Sequence, residues 1–268
     1  MTARLSPIAT ALADLVARLR AAGCVYAEDE AALILEAASR PDDVEVLLRR
    51  RESGLPLEQV LGWAEFHGLR MLVEPEVFVP RRRSEVLVDE ALRLASPSAL
   101  ILDLCCGSGA LATALAHRLS GAEVWASDLH PAAVRCARRN LAPYAAHVVE
   151  GDLYDPLPRR LRGTVDLLVV NAPYVPTDAV AMMPPEARDH EPRMTLDGGP
   201  DGLDLQRRVI VEAGAWLAPN AHLLIETSQG QAPVTAAAMA AAGFSVRVVR
   251  DEERDGTVVV GSLAAGCS

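Results

Sequence analysis

The chain has 268 residues, about 1.8 times a typical domain of roughly 150. Half of them are hydrophobic, which excludes a disordered chain, and no apolar run approaches the ~20 residues of a membrane-spanning helix. The formal charge of −10 disfavours a protein held mainly by phosphate backbones, and the lack of any Lys excludes Schiff-base, pyridoxal-phosphate and P-loop kinase chemistry.

The cysteines Cys24, Cys105, Cys106, Cys136 and Cys267 are odd in number and irregular in spacing. They form no disulfide framework and no Cys-x-x-Cys pair, so no metal is expected. Asp14 and Arg18 interrupt the first apolar stretch, so no signal peptide is read. The expectation is a soluble, cytoplasmic monomer.

Ile8, Leu12, Leu15, Val16 and Leu19 share one helical face, and a second helix is expected near 27–38. Ser39 and Pro41 suit the cap and first turn of a third helix that stops at Gly54, and Pro56 opens a short fourth. This helical unit, residues 1–64, has no polar constellation of its own and reads as a packing or docking module. Residues 65–83 read as a hairpin linker, with runs Leu69–Val73 and Val77–Val79 around a Glu-Pro-Glu turn. Residues 84–268 then alternate strands and helices, starting with a helix capped by Ser84 that runs through Leu94.

Strands are expected at Leu100–Leu104, Glu123–Ser127, His147–Glu150, Val165–Val170, His222–Glu226, Ser245–Val249 and Thr257–Val260. Helices fall at 109–119, 131–141, 203–217 and 231–242. Such alternation implies an α/β fold with a mostly parallel, doubly wound sheet. The charged segment Arg250–Gly256 is too short for a crossover helix, so the last two strands should pair antiparallel. A seven-stranded sheet ending this way is the class I methyltransferase arrangement.

The first strand runs into Asp103-Leu104-Cys105-Cys106-Gly107-Ser108-Gly109 and then a helix. Small residues admit a ligand close to the backbone, and a helix start offers free N–H groups. Asp128 ends the next strand about 20 residues on, where a carboxylate can accept both ribose hydroxyls. Gly107-x-Gly109-x-x-Ala112 with Asp128 also fits an NAD fingerprint. Asp103 favours S-adenosylmethionine, because its carboxylate can meet an ammonium and would repel a pyrophosphate. Asp152 is placed to bond the adenine amino group. Cys105 and Cys106 read as an inert pair under the loop.

The apolar strand Val165–Val170 ends in Asn171-Ala172-Pro173-Tyr174. Pro173 holds Ala172 extended, which fixes its carbonyl. That carbonyl and the Asn171 side-chain oxygen can accept both N–H bonds of a planar amide or amine, and Tyr174 supplies a flat face. The arrangement grips a weak nitrogen nucleophile, and positioning contributes most of the rate.

With these motifs the sequence resembles the protein-(glutamine-N5) methyltransferases, which methylate release factors or a ribosomal protein. The resemblance runs from about Leu47 to Gly261 and includes Gly62–Phe66, Phe78–Arg81 with Ser84-Glu85, Glu191-Pro192-Arg193 and Leu196–Leu203. It implies that Cys105–Gly109 and Asp128 hold S-adenosylmethionine, with Asp152 and Leu153 at the adenine. It further implies that Asn171 binds the glutamine amide close to the reacting methyl, that Phe78 walls the glutamine pocket, and that the helical unit docks a protein with an exposed glutamine loop. Where the family usually has Asn-Pro-Pro-Tyr and Pro-Arg-Pro-x-Thr/Ser-Glu, this chain has Ala172, and Arg82-Arg83 after Arg81, which points to a divergent branch. The alternatives are a nucleic-acid amino methyltransferase, disfavoured by the charge, an NAD-dependent dehydrogenase, and a non-catalytic binding module. The basic clusters Arg49–Arg51 and Arg81–Arg83 read as solvated faces.

Overall fold

The computed structural model describes residues 7–263, and the side chains within them except those of residues 7–11 and 41. Four helices come first: α1 (Pro7–Ala21), α2 (Ala27–Ala37), α3 (Pro41–Glu52) and α4 (Leu57–Leu61). Leu15, Val16 and Leu19 of the expected α1 face pack with Cys24, Ala27, Ala31, Ile34 and Leu48. Leu12 sits at the rim, and the Ile8 side chain lies outside the described residues. The cap of α3 is Arg40 rather than Ser39: with Pro41 as the first helical residue, the cap falls on its neighbour. The Arg40 main-chain N–H donates to Asp43 at 3.0 Å.

The helical unit is not free of polar constellations. Arg51 is buried and its guanidinium donates to Glu30 at 2.6 and 3.2 Å and to Glu186 at 2.7 Å. The basic clusters are solvated only in part: Arg49 and Arg82 are exposed, and the others are engaged. Arg49 pairs with Glu45, Arg50 donates to the Gln59 and Val60 carbonyls, and Arg81 is bound to Glu191.

The hairpin lies earlier than its sequence pattern implies. Strands β1 (Trp63–Phe66) and β2 (Leu69–Leu72) pair antiparallel around His67-Gly68, both with positive φ. A two-residue turn of this kind follows the natural strand twist, whereas Pro75 in the expected turn offers no N–H. Val77–Val79 forms no strand, and the Val79 N–H donates to Glu191 instead.

After α5 (Glu85–Leu94), the strands β3 (Leu100–Leu104), β4 (Glu123–Asp128), β5 (Ala146–Glu150), β6 (Val165–Val170), β7 (Leu217–Glu226), β8 (Phe244–Asp251) and β9 (Gly256–Leu263) form one sheet. Their order is β5-β4-β3-β6-β7-β9-β8, parallel except for β9, which runs antiparallel to both neighbours. Helices α6 (Ala110–Arg118) and α7 (Pro131–Leu141) join α5 on one face, while α9 (Asp204–Ala213) and α10 (Ala232–Ala241) cover the other. The second-to-last helix is shorter than 203–217, because the Ala215 and Trp216 carbonyls accept from Gly163 and Val165 and draw the chain to the sheet. A short helix, α8 (Pro185–His190), lies in a stretch without apolar periodicity. Among the described residues no helix is long and apolar enough to cross a membrane.

The chain leaves β3 toward β4 and β5, then returns to lay β6 on β3's other side. The carboxyl ends of β3 and β6 therefore flank the crevice where the strand order reverses, the usual ligand position in such sheets.

Replacing Arg51 by Ala strands Glu30 in the helical unit without its counter-charge. The expected cost is about 3–5 kcal/mol, read as a lower midpoint in urea unfolding. A midpoint equal to that of the unaltered chain would show that Glu30 needs no partner.

Candidate active site

One cleft, of about 1180 Å3 including space open to solvent, gathers most of the residues singled out from the sequence. Its walls include Cys105 to Ser108, Asp128, Asp152, Leu153, Phe78 and all of Asn171 to Tyr174. Gly109 stands behind the loop, with its Cα against Ala137 of α7, and does not line the cleft.

The loop after β3 is shaped by backbone constraints. Gly107 has φ +55°, and a Cβ built there would meet nothing within 4 Å. The open space beside it is the cleft, so a ligand can lie on the bare backbone. Asp128 closes this loop from β4: its Oδ2 accepts the Gly107 N–H and its Oδ1 the His130 N–H, both at 2.8 Å. Burial raises its pKa. Asn140, which carried no signal in the sequence, anchors the loop from behind. Its Nδ2 donates to the Ser108 and Leu72 carbonyls, and its Oδ1 accepts the Leu72 N–H, tying β2 to the loop.

Asp103 departs from expectation. Strand side chains alternate between faces, so Asp103 points with Ile101 toward the α6 side, beneath the cleft. Its side chain is fully buried, Oδ2 accepts the Ala112 N–H at 3.2 Å, and Oδ1 has no partner. Burial, with the Asp128 charge, pushes its carboxyl up to about 8. Asp152 lines the cleft but is also paired with Arg208 of α9 at 2.7 Å. Burial drives both the Cys105 and Cys106 thiols upward, with Asp103 and Asp128 adding to it, and both are free. These are inert thiols.

At the end of β6 the Asn171 Nδ2 donates to the Ser84 hydroxyl oxygen at 3.1 Å. The end left for the cleft is the carbonyl oxygen. Ser84, expected as a helix cap, makes no side-chain capping bond and serves the site instead. The Tyr174 hydroxyl donates to Glu226 at 3.3 Å, which holds the ring upright. Glu226 ends β7 and was not legible as a site residue, because its neighbours in sequence read only as the close of a strand. The Tyr174 carbonyl accepts from Gln231 Nε2 at 2.8 Å, and the same nitrogen reaches the Asp201 carbonyl. Gly202 passes directly below: a Cβ there would stand 2.2 Å from the Tyr174 oxygen. Across the cleft, Phe78 lies under the Arg81 guanidinium at 5.0 Å, with Phe66, Met183 and Met194 completing an apolar wall.

Residues 101–190 match the Methyltransferase domain family. The chain is 41% identical over 200 residues to a release factor glutamine methyltransferase of Geobacter sulfurreducens, covering 74% of this chain and 69% of that one. It belongs to this family. S-adenosylmethionine is accordingly its cofactor. It is also 34% identical over 249 residues to a 4-amino-L-phenylalanine/4-methylamino-L-phenylalanine methyltransferase of Streptomyces pristinaespiralis, over 84% of this chain and 85% of that one. A crystal structure of a methyltransferase from Pyrococcus furiosus shares the fold, with a TM-score of 0.59 at 16% identity, over 80% of this chain and 98% of that one.

The site suits the cofactor. The bare Gly107 backbone leaves room for it, and a cation near Asp103 and Asp128 would offset the burial that raises both pKa values. The Asp103 shift has a consequence for stability. An unfolded Asp ionises near pH 3.9, whereas the folded one holds its proton to about 8. Between those values the unfolded chain has lost a proton that the folded chain keeps, so stability falls as pH rises. Thermal melts of the cofactor-free protein should show this decline, and Asp103→Asn, which cannot ionise, should remove Asp103's share. Parallel pH profiles for the two proteins would place the decline elsewhere.

Proposed function

We propose that the protein transfers a methyl group from S-adenosylmethionine to the side-chain amide nitrogen of a glutamine in a protein of the translation apparatus, a release factor in the first instance. The observation that carries this reading is the pair of acceptors at the end of β6. With Nδ2 committed to Ser84, Asn171 offers its oxygen beside the Ala172 carbonyl, and an amide NH2 has two hydrogens to give. S-adenosylmethionine supplies a methyl on a cationic sulfur. The chain's residues do the rest by orientation: Asp128 and the Gly107 backbone hold the cofactor's ribose side, with Cys105, Cys106 and Ser108 lining the loop, and Asp152 and Leu153 take the adenine. Asp103 supports the loop from beneath. Asn171 and Ala172 fix the nitrogen, Pro173 keeps the Ala172 carbonyl aimed, and Tyr174 and Phe78 flank the planar amide. Positioning of this kind supplies several kcal/mol without a strong base.

In this reading residues 84–268 carry the transfer, 65–83 link, and 1–64 dock the protein substrate. The Arg51–Glu186 bond supports that division, because it ties the helical unit to the segment that brings Met183 and Met194 to the cleft. Free cysteines among the described residues accord with a reducing, cytoplasmic setting.

A second reading, N-methylation of a small aromatic amine, is favoured by the Streptomyces relative and by the apolar wall of Phe66, Phe78, Met183 and Met194. Labelled-methyl transfer to a purified release factor, with 4-amino-L-phenylalanine in a parallel reaction, separates the two. Label on the protein that vanishes when the modified glutamine is replaced supports the first reading. Label on the amine alone overturns it.

Asn171→Ala should abolish turnover while cofactor affinity stays within about tenfold, because the lost bonds are with the nucleophile. Asp128→Ala should weaken cofactor binding by about 1.5–3 kcal/mol per lost charged hydrogen bond, measured by calorimetry. Normal turnover in the first variant would make Asn171 a turn residue, and unchanged binding in the second would move the ribose elsewhere.

A further inference from the structure

The Glu191-Pro192-Arg193 block does not line the cleft, yet its first residue grips the cleft wall. Glu191 follows the last turn of α8, and Pro192 after it favours the extended backbone, ψ 142°, that ends the helix there. The Glu191 side chain is fully buried. Its Oε1 accepts the Val79 N–H at 3.2 Å and the Arg81 guanidinium at 2.6 Å, while Oε2 is buried without a partner. A short ionic hydrogen bond of this kind is about twice as strong as a neutral one.

Phe78 is held between these two donors. Residues 78–81 belong to no strand or helix, and Pro80 has no N–H. Among the described residues, the bond from Val79 to Glu191 is the only one that a main-chain N–H of this stretch makes. The Arg81 guanidinium stands 5.0 Å over the Phe78 ring, within cation–π range. Without Glu191 the main chain beside Phe78 loses its tie, and Arg81, 30% exposed, is free to turn to water. One carboxylate thus governs both where the ring stands and what covers it.

We propose that Glu191 is a positioning residue that sets the width of the acceptor pocket, by fastening the wall that carries Phe78 to the segment that carries Met183 and Met194. Glu191 lies between those methionines in the chain, and all three apolar side chains line the cleft. The same segment is anchored to the helical unit through Glu186, which accepts from Arg51 at 2.7 Å. The wall is therefore braced from outside the cleft, before any substrate arrives. A preformed wall lowers the ordering cost of binding, so its loss is read in the affinity for the acceptor.

The structural part of this proposal stands apart from the amide-methylation reading, and the catalytic part rests on it. The chain has three Phe, so protein labelled with 4-fluorophenylalanine gives three fluorine resonances, and Phe78→Leu identifies one of them. Phe66 and Phe244 are buried and report an intact fold. Glu191→Met keeps the side-chain length and removes the acceptor oxygens. In this variant the Phe78 fluorine should gain solvent exposure, read as a larger isotope shift between H2O and D2O, while the other two stay unchanged. Glu191→Gln keeps an acceptor oxygen and should restore the shielding. A Phe78 fluorine as shielded in folded Glu191→Met as in the unaltered protein overturns the proposal. Should Glu191→Met lose the Phe66 and Phe244 resonances, Glu191→Asp, one methylene too short to span both donors, is judged by the same shift. In turnover with a purified release factor, Glu191→Met should raise the KM for the acceptor about tenfold and leave the cofactor dissociation constant unchanged. An unchanged acceptor KM overturns the catalytic part. If the unaltered protein methylates no release factor, the substrate reading falls and the fluorine measurement alone judges the wall.

Discussion

The reactive edge depends on how closely one stretch of backbone can lie beneath another. The carbonyl of Tyr174 is approached from below by Gly202, in a space that no side chain could enter, and Gln231 stitches that carbonyl to Asp201 across the gap. The Asp-Gly-Gly block is therefore a bed for the Asn171–Tyr174 segment rather than a ligand-binding motif. Asp197 completes the bed by accepting from Thr177 at 2.7 Å and from the Gly199 N–H, while Val175 and Asp197 form a short bridge. With the backbone held on its underside, the upper side is free to present two acceptors at fixed spacing. For a poor nucleophile, a small displacement of either one costs a large part of the rate.

Electrostatics impose a second constraint. Burial pushes the carboxyls of Asp103 and Asp128 upward in pKa beneath and beside the glycine loop, whereas the buried Glu191 and Glu226 have Arg81 and Arg83 as neighbours. Two carboxyls at the loop favour a cationic ligand there and penalise a pyrophosphate. That preference agrees with a sulfonium cofactor and disagrees with the dinucleotide that the glycine spacing alone would also have allowed. The antiparallel β9, set between β7 and β8, makes the same distinction at the level of topology.

The elements legible in the sequence were those whose pattern is local. Parallel strands read as apolar runs, and the helices between them as amphipathic stretches, so the seven-stranded sheet and its reversed strand were recoverable. The cleft's loop and the Asn171 segment were recoverable because strand ends at a switch point must face the ligand. What was missed depends on distant partners. The two-residue turn at His67-Gly68 competes with a more conspicuous Glu-Pro-Glu, and the choice is made by β1 and β2 pairing. Asp103 was assigned to the cleft although the alternation of its own strand turns it toward α6. Arg51, Asn140 and Glu226 act on residues far along the chain, and nothing beside them in sequence advertises that.

Arg83 shows how such distant pairing changes the meaning of a local pattern. In sequence, Arg81-Arg82-Arg83 is a basic run beside the pocket that reads as a solvated face. In the fold its three charges go to three different partners: Arg81 to the buried Glu191, Arg82 to Glu253 at the surface, and Arg83 to the neighbourhood of Glu226 while its guanidinium stands 6.0 Å over the Tyr174 ring. A buried carboxylate without a nearby cation would take up a proton and stop acting as a pure acceptor. Arg83 opposes the burial that raises the Glu226 pKa, and so favours the ionised carboxylate. The pocket wall consequently carries balanced charge, and a neutral group such as an amide or an aromatic amine meets no unpaired cation there.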